Sequence, residues 1–127
     1  MKFLIITPTY NENANISNLI SEIREIKTPV NLDILIIDDN SPDGTALTVK
    51  AIMAKDKNLH LIQRDAKNGL ASAYCEGFKW AIKNNYDYVV QMDADLSHSP
   101  SDILKFINKV KDFDVVIGSR YKTGVNV

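Results

Sequence analysis

The sequence is poor in the residues that mark disulfide-stapled or membrane-spanning chains. It has a single cysteine, Cys75, which excludes an internal disulfide and favours a reducing compartment. No apolar run approaches the roughly 20 residues needed to cross a bilayer. The start, "MKFLIITPTYNE", turns polar too soon for a signal peptide. These absences predict a cytoplasmic chain that meets a membrane, if at all, only peripherally at its cytoplasmic face.

The sequence also lacks an excess of charge of either sign, because 15 Lys and Arg residues nearly balance 16 Asp and Glu residues. Such a chain has no basic field to hold a polyanion, so we expect no nucleic-acid partner. An anionic ligand must therefore be bound by local groups. The length of 127 residues, of which 45% are hydrophobic, predicts one compact domain over residues 1–127.

What the sequence does have is a regular alternation of two apolar patterns. Runs rich in Ile and Val predict strands at 2–7, 32–38, 59–63, 87–92 and 113–119. Helical patterns lie between them, at about 13–27, 44–55 and 69–84, and "SPSD" (99–102) announces another. The alternation predicts the α/β class, with a mainly parallel sheet and helices on both faces.

Polar clusters follow four of the predicted strands. They are "TPTYNE" (7–12), "DDNSPDGT" (38–45), "DADLSH" (93–98) and "GSRY" (118–121). Each cluster alone is explained by turn chemistry, and "NSPDG" is a good turn. Open parallel sheets, however, bind ligands at the carboxyl ends of their strands. Two of the clusters carry paired acids, so together they predict a ligand site at this rim.

The acids of "DADLSH" favour a divalent cation. Asp93 and Asp95 are two residues apart in an extended segment and point the same way. Hard oxygen donors, with Ser97 or His98 and water, suit Mg²⁺ or Mn²⁺ that also binds phosphate oxygens. Zinc fits less well, because the cysteine falls in a helix and His60, the other histidine, in a strand. A phosphate loop of the "GxxxxGK" or "GxGxxG" type is lacking, so the metal must balance the phosphate charge.

Five motifs then carry a resemblance: "PTYNE", "IIDDNSPDGT", "GLASAY", "MDADLSHSP" and "GSRY". In this order and spacing they resemble the inverting glycosyltransferase family 2, most closely its dolichol-phosphate (polyprenol-phosphate) mannosyltransferase branch. The resemblance runs from about residue 4 to residue 121. It implies a Rossmann-like GT-A nucleotide-sugar-binding domain, GDP-mannose as donor, a polyprenyl (dolichyl) phosphate as acceptor, and Mg²⁺ or Mn²⁺ as cofactor.

The resemblance also implies which residues bind the nucleotide. Pro8, Tyr10, Glu12 and Asp39 match the family's nucleotide pocket, where the acid accepts a hydrogen bond from the base. Its neighbour Asp38 is expected to be structural.

The remaining matches concern the sugar diphosphate and the acceptor. Asp93 and Asp95 match the "DxD" pair that holds ribose, diphosphate and metal, with Asp95 as the stronger metal ligand. Ser97 stands where some relatives have a Gln that contacts the metal. Arg120 matches an arginine that holds the acceptor phosphate, a task suited to a bidentate guanidinium. The implied catalytic set is therefore Asp93, Asp95 and Arg120.

The implied reaction needs no dedicated base. The second pKa of a phosphate monoester is about 6, so a lipid phosphate is already largely ionised at neutral pH. Positioning and charge stabilisation would then supply the catalysis. The sequence offers no obvious general base, which agrees with a phosphate acceptor.

The end of the chain, "YKTGVNV", falls where the family continues with an acceptor loop and an amphipathic membrane helix. We therefore expect this chain to lack the C-terminal acceptor and membrane-associating part, and to transfer poorly alone. Membrane contact would then depend on that part or on a partner.

Three alternatives remain open at this stage. One is a UDP-glucose-dependent polyprenyl-phosphate glucosyltransferase, and another is a non-catalytic sugar-nucleotide-binding domain. The third is a phosphoacceptor signalling domain, which carries its acid pair after the first strand, whereas here the pair follows the second. Phe78, Trp80 and Cys75 in the third helix are expected to pack in the core, and Gly77 to allow close packing.

Overall fold

The computed structural model describes residues 2–28, 30–65 and 69–94, and beyond them only 103, 105, 107, 117–118 and 125–126. Its strands are β1 (Lys2–Thr9), β2 (Asn31–Asp38), β3 (Leu59–Gln63), β4 (Tyr88–Gln91), β5 (Ile117–Gly118) and β6 (Val125–Asn126). Its helices are α1 (Asn13–Arg24), α2 (Thr45–Met53) and α3 (Leu70–Lys83). Strand and helix alternate from β1 to β4, as the sequence predicts.

The main sheet has four strands in the order β3-β2-β1-β4, and each neighbouring pair is parallel. The central strand β1 is buried along most of its length, with Ile5 in register with Ile34 on one side and Val90 on the other. Burial on both faces explains the nearly continuous apolar runs of these strands. The chain builds β2 and β3 on one side of β1 and then returns to place β4 on the other.

Side chains alternate between two cores, one on each face of the sheet. Phe3 and Ile5 lie in a core with α1 and α2, whereas Leu4 and Ile6 face α3. Helix α1 buries Ile16, Leu19, Ile20 and Ile23, the spacing of one amphipathic stripe. The predicted helices on both faces are thus confirmed.

Helix α3 approaches the sheet through Ala73, Gly77 and Ala81, which are buried. A Cβ atom at Gly77 would lie 2.8 Å from Cδ1 of Ile6, so the expected close packing is confirmed. The face toward the sheet is narrow, so Cys75 is exposed and its predicted place in the core is wrong. Phe78 and Trp80 pack against the α3 core as expected.

The predicted fifth strand needs a correction. Its described part, Ile117–Gly118, pairs antiparallel with Val125–Asn126 in a separate two-stranded ladder. Among the described residues, this pair is therefore separate from the four-stranded parallel sheet. In the predicted fourth helix, residues 103, 105 and 107 are helical, while the "SPSD" start lies outside the described residues. Among the helices described, none is long and apolar enough to cross a membrane.

Candidate functional site

The carboxyl ends of β1 and β2 are joined by the buried carboxylate of Asp38. It accepts hydrogen bonds from the Thr9 hydroxyl at 2.7 Å and from the Ser41 hydroxyl and amide at 2.6 and 3.0 Å. Ser41 Oγ in turn accepts a bond from the amide of Asn11 at 2.9 Å. Asp38 is therefore structural, as expected: it fixes the loop after β2 against the loop after β1.

The rest of "SPDGT" holds the same two loops together. Asp43 accepts a hydrogen bond from the amide of Asn13 at 3.0 Å, and Thr45 Oγ1 accepts one from the amide of Glu12 at 3.1 Å. Desolvation opposes ionisation of Asp43, but bonds from the Thr45 side chain and from backbone amides outweigh it and lower the pKa of this carboxyl. The "SPDGT" motif, whose composition predicts a turn, thus also forms a clamp that fixes the start of α1.

A cleft of about 250 Å³ opens beside this clamp, between the ends of β1 and β2 and the start of α3. It is lined by Pro8, Thr9, Tyr10, Asp39, Gly69, Leu70 and Ala73. Three residues that the sequence assigns to a nucleotide pocket therefore meet in one place. Apart from Asp39, the lining offers apolar, aromatic or small groups, a composition that suits a flat ring with a few polar edge groups.

Glu12 lies in the same loop but does not line the cleft. Its carboxylate accepts a hydrogen bond from Asn15 Nδ2 at 3.2 Å, and its carbonyl oxygen accepts the amides of Asn15 and Ile16 at the start of α1.

Asp39 forms a buried ion pair that the sequence does not announce. Arg64 donates from Nε to one carboxylate oxygen and from Nη2 to the other, the latter at 2.8 Å. It also donates to Ser72 Oγ at 2.8 Å and to the Gly69 carbonyl at 3.3 Å. The hydrogen bonds to Asp39 raise the pKa of Arg64 above its ordinary value, so the guanidinium is charged. The signal in the sequence was its place: Arg64 directly follows β3, as the other polar clusters follow their strands.

Gly69 joins the ion pair to α3. Its φ of +95° lies in a region that side chains rarely adopt, so glycine suits this position. Its carbonyl accepts the Ala73 amide as α3 begins, as well as the Arg64 guanidinium. The cleft wall formed by α3 is thereby tied to the end of β2.

Asp93 lies two residues after the end of β4, the strand that pairs with β1, and it is half-buried. The Tyr74 hydroxyl of α3 lies 3.4 Å from its Oδ1. Asp95, Ser97 and Arg120 lie outside the described residues. Within residues 2–28, 30–65 and 69–94 no three metal-binding acids, histidines or cysteines gather. The Asp93 carboxylate is a hard oxygen donor, the kind of group that suits Mg²⁺ or Mn²⁺.

A second polar cluster lies at the opposite, amino-terminal edge of the sheet. The Tyr86 hydroxyl donates to Asp33, and His60 Nε2 lies 3.5 Å from the same carboxylate. The Trp80 ring packs between His60 and Tyr86, with centroid distances of 5.0 and 5.6 Å. Burial, followed by the hydrogen bond to Asp33, raises the pKa of Tyr86 above its usual range. His60 therefore belongs to a structural cluster at this edge of the sheet.

The same edge has an ion pair of its own. Arg24, the last residue of α1, pairs with Asp56 through Nε at 2.6 Å. It also donates to the carbonyls of Leu32 and Asn58, which stand at the starts of β2 and β3. The pair therefore ties a helix end to two strand starts.

Comparison with known proteins shows which family the chain resembles. Residues 4–127 match the model described as Glycosyl transferase family 2. The chain is 40% identical over 124 residues to an undecaprenyl-phosphate mannosyltransferase of Micrococcus luteus, covering 98% of this chain and 50% of that protein. It is 39% identical over 126 residues to a polyprenol monophosphomannose synthase of Mycolicibacterium smegmatis, covering 98% and 47%. The chain thus spans about half the length of these relatives.

Solved structures agree on the architecture. A mannosyltransferase from Pyrobaculum calidifontis, in complex with GDP-Man and Mn²⁺, superposes with a TM-score of 0.76 at 26% identity, over 87% of this chain and 32% of that one. S. aureus TarS residues 1–349, in complex with UDP-GlcNAc, gives 0.72 at 23% identity over 88% and 32%, a likeness of fold alone. The predicted GT-A fold is confirmed. With its parallel sheet, its cleft at the carboxyl ends of β1 and β2 and its family match, this chain belongs to glycosyl transferase family 2.

Proposed function

We propose that the cleft binds the nucleotide of GDP-mannose and that the protein transfers mannose to a polyprenyl phosphate, with inversion at the anomeric carbon. The observation that carries the proposal is the meeting of Pro8, Tyr10 and Asp39 around one cleft at the carboxyl ends of the strands. Relatives named as polyprenol-phosphate mannosyltransferases, at about 40% identity, support the sugar and the lipid.

The residues at the carboxyl ends of the strands have the following proposed roles. Tyr10 and Pro8 enclose the base, Asp39 accepts a hydrogen bond from it, and Glu12 belongs to the same loop. Asp93 and Asp95 hold the ribose and the diphosphate. Bound Mg²⁺ or Mn²⁺, held by these two acids with Ser97 as a weaker ligand, would neutralise charge on the diphosphate.

In the proposed reaction an oxygen of the lipid phosphate attacks the anomeric carbon of the mannose. The bond from that carbon to the diphosphate oxygen breaks, and GDP leaves with the electron pair. Arg120 holds the entering phosphate as a bidentate partner. The acceptor is already ionised, so no side chain has to remove a proton from it. The chemistry requires position and charge balance, which the acids of the rim and one arginine can supply.

The acceptor also implies peripheral contact with a membrane, because a polyprenyl chain stays in the bilayer. The relatives are about twice as long as this chain, so their remaining half is the natural place for that contact.

The test is calorimetric titration of the purified chain with GDP-mannose, GDP, UDP-glucose and UDP, with and without Mg²⁺ or Mn²⁺. We expect metal-dependent binding of the guanosine ligands, which Asp95→Ala and Asp93→Asn should weaken. Mannose transfer to a polyprenyl phosphate is then followed with labelled GDP-mannose. Tighter binding of UDP-glucose would favour the glucosyltransferase alternative, and no binding of any nucleotide would overturn the proposal.

A further inference from the structure

Arg64 and Asp39 form the most deeply buried ion pair described in the chain, with side chains 6% and 9% exposed. Four guanidinium N–H groups are used: two by Asp39, one by Ser72 and one by the Gly69 carbonyl. The amide of Arg64 also donates to the Asp38 carbonyl at 2.8 Å. This arginine is therefore fixed by the ends of β2 and β3 and by the start of α3.

Stability alone is a poor reason for such a pair. Removing two charges from water costs several kcal/mol, and well-packed apolar residues of similar volume are often as stable or more so. The pair also lies at the edge of a cleft, and Asp39 is the charged residue among the described residues that line it. Each carboxylate oxygen has two lone-pair directions, so accepting one bond from Arg64 leaves capacity for a ligand.

We infer that Arg64 is a positioning residue, which holds the Asp39 carboxylate in one orientation so that the cleft selects bases with a ring N–H. The inference rests on the proposed function and names the feature that sets its base preference. Guanine and uracil both present a ring N–H donor to a carboxylate. Adenine presents an unprotonated ring nitrogen at the corresponding edge, which an ionised acceptor repels.

Arg64→Met tests this directly. The variant removes both hydrogen bonds that hold the Asp39 carboxylate, so this group is free to turn away from the base. At pH 7 we expect GDP to bind about ten- to a hundredfold more weakly, as for loss of a hydrogen bond to a charged group. ADP should lose less, so the ratio of the two affinities falls.

A further readout separates positioning from simple structural support. Arg64→Lys keeps the charge but not the two-pronged geometry, so it should restore part of the affinity and most of the base selectivity.

Arg24→Met is the matched control, since it removes the same kind of side chain from an Arg–Asp pair at the other edge of the sheet. GDP affinity and base selectivity should stay at their native values. If Arg64→Met does not fold, Arg64→Lys and Ser72→Ala carry the test, because Ser72 is exposed and its loss only loosens the guanidinium.

The outcomes are separable. If the native chain binds no nucleotide, the proposed function fails and this inference falls with it. If the native chain binds GDP, but the Arg64 variants keep its affinity and selectivity, only the inference fails. Equal weakening by Arg24→Met would also overturn it, because the effect would then come from general loss of stability.

Discussion

Each of the two edges of the sheet carries an Arg–Asp ion pair, but the two pairs have different surroundings. At the amino-terminal edge Arg24 pairs with Asp56, and the two side chains are 30% and 16% exposed. The other N–H groups of Arg24 donate to backbone carbonyl oxygens. At the carboxyl edge Arg64 pairs with Asp39, with 6% and 9% exposed, and the pair borders a cleft. The contrast teaches that an ion pair indicates function through what surrounds it, here burial beside a cavity, and not through the pairing itself.

The largest expected effect is on unfolding of Arg64→Met. Removing one partner of a buried pair leaves an uncompensated charge and costs about 3–5 kcal/mol. For the more exposed pair, Arg24→Met should cost about 1 kcal/mol or less. Urea unfolding followed by circular dichroism measures both. Equal losses would erase the contrast between the edges.

The next prediction tests whether the amino-terminal edge contributes only to stability and not to nucleotide binding. Tyr86→Phe removes a hydrogen bond to the Asp33 carboxylate, so we expect a loss of about 1.5–3 kcal/mol in unfolding free energy. Nucleotide binding should not change. Tyr88→Phe is the matched control, since the Tyr88 ring stacks on Phe3 and keeps this contact in the variant. A clear change in GDP affinity for Tyr86→Phe would mean that the edges communicate.

The same tyrosine makes the amino-terminal edge sensitive to alkali. Its folded-state pKa is raised above the ordinary 10.0, so the folded protein retains the proton that the unfolded chain loses. The stabilisation is complete below about pH 10 and is lost as the pH rises further. Thermal unfolding of the native chain between pH 8 and pH 11 should therefore show a decline that is shallower for Tyr86→Phe. Parallel curves would contradict this origin.

The smallest effect is at the other edge and has the opposite sign. The folded-state pKa of Asp43 lies below its ordinary value of 3.8, so its stabilisation is present above that pH and is lost on further acidification. Asp43→Asn should show a shallower acid limb than the native chain between about pH 5 and pH 2. Asp65→Asn serves as the comparison for the loss of one carboxylate near the same edge. An unchanged acid limb in Asp43→Asn would exclude this clamp as its source.

Much of the fold could be predicted because burial leaves a periodic trace. The stripe of α1 and the apolar runs of β1 and β2 fixed those elements to within a few residues. The trace is weaker in α3, where small residues face the sheet, so Cys75 was misplaced and Leu70 and Ile82 are exposed. The described part of the predicted fifth strand is a strand, but its pairing was not predicted, because its partner is a downstream segment that its own pattern does not reveal.

For the candidate site, the positions of some residues can be compared with the sequence, while their roles stay predictions. Motif resemblance brought Pro8, Tyr10 and Asp39 together, and the structure gathers them around the cleft. Arg64 was missed because its role depends on a pairing 25 residues away in sequence, across the ends of two strands. The roles of Asp95 and Arg120 stay predictions, as both lie outside the described residues.

Gly77 links the core to the dimensions of the cleft. A methyl group at this position would sit 2.8 Å from Ile6, closer than packed atoms tolerate, and 3.0 Å from Ile37, which is a tight contact. Either the isoleucine side chains or helix α3 would have to shift, and α3 carries Leu70 and Ala73 to the cleft wall. The gap available to a ligand therefore depends on a position about one to two helical turns away from these wall residues, where the side chain is a hydrogen atom. Binding selectivity could then drift through substitutions in the core, with every residue of the cleft unchanged.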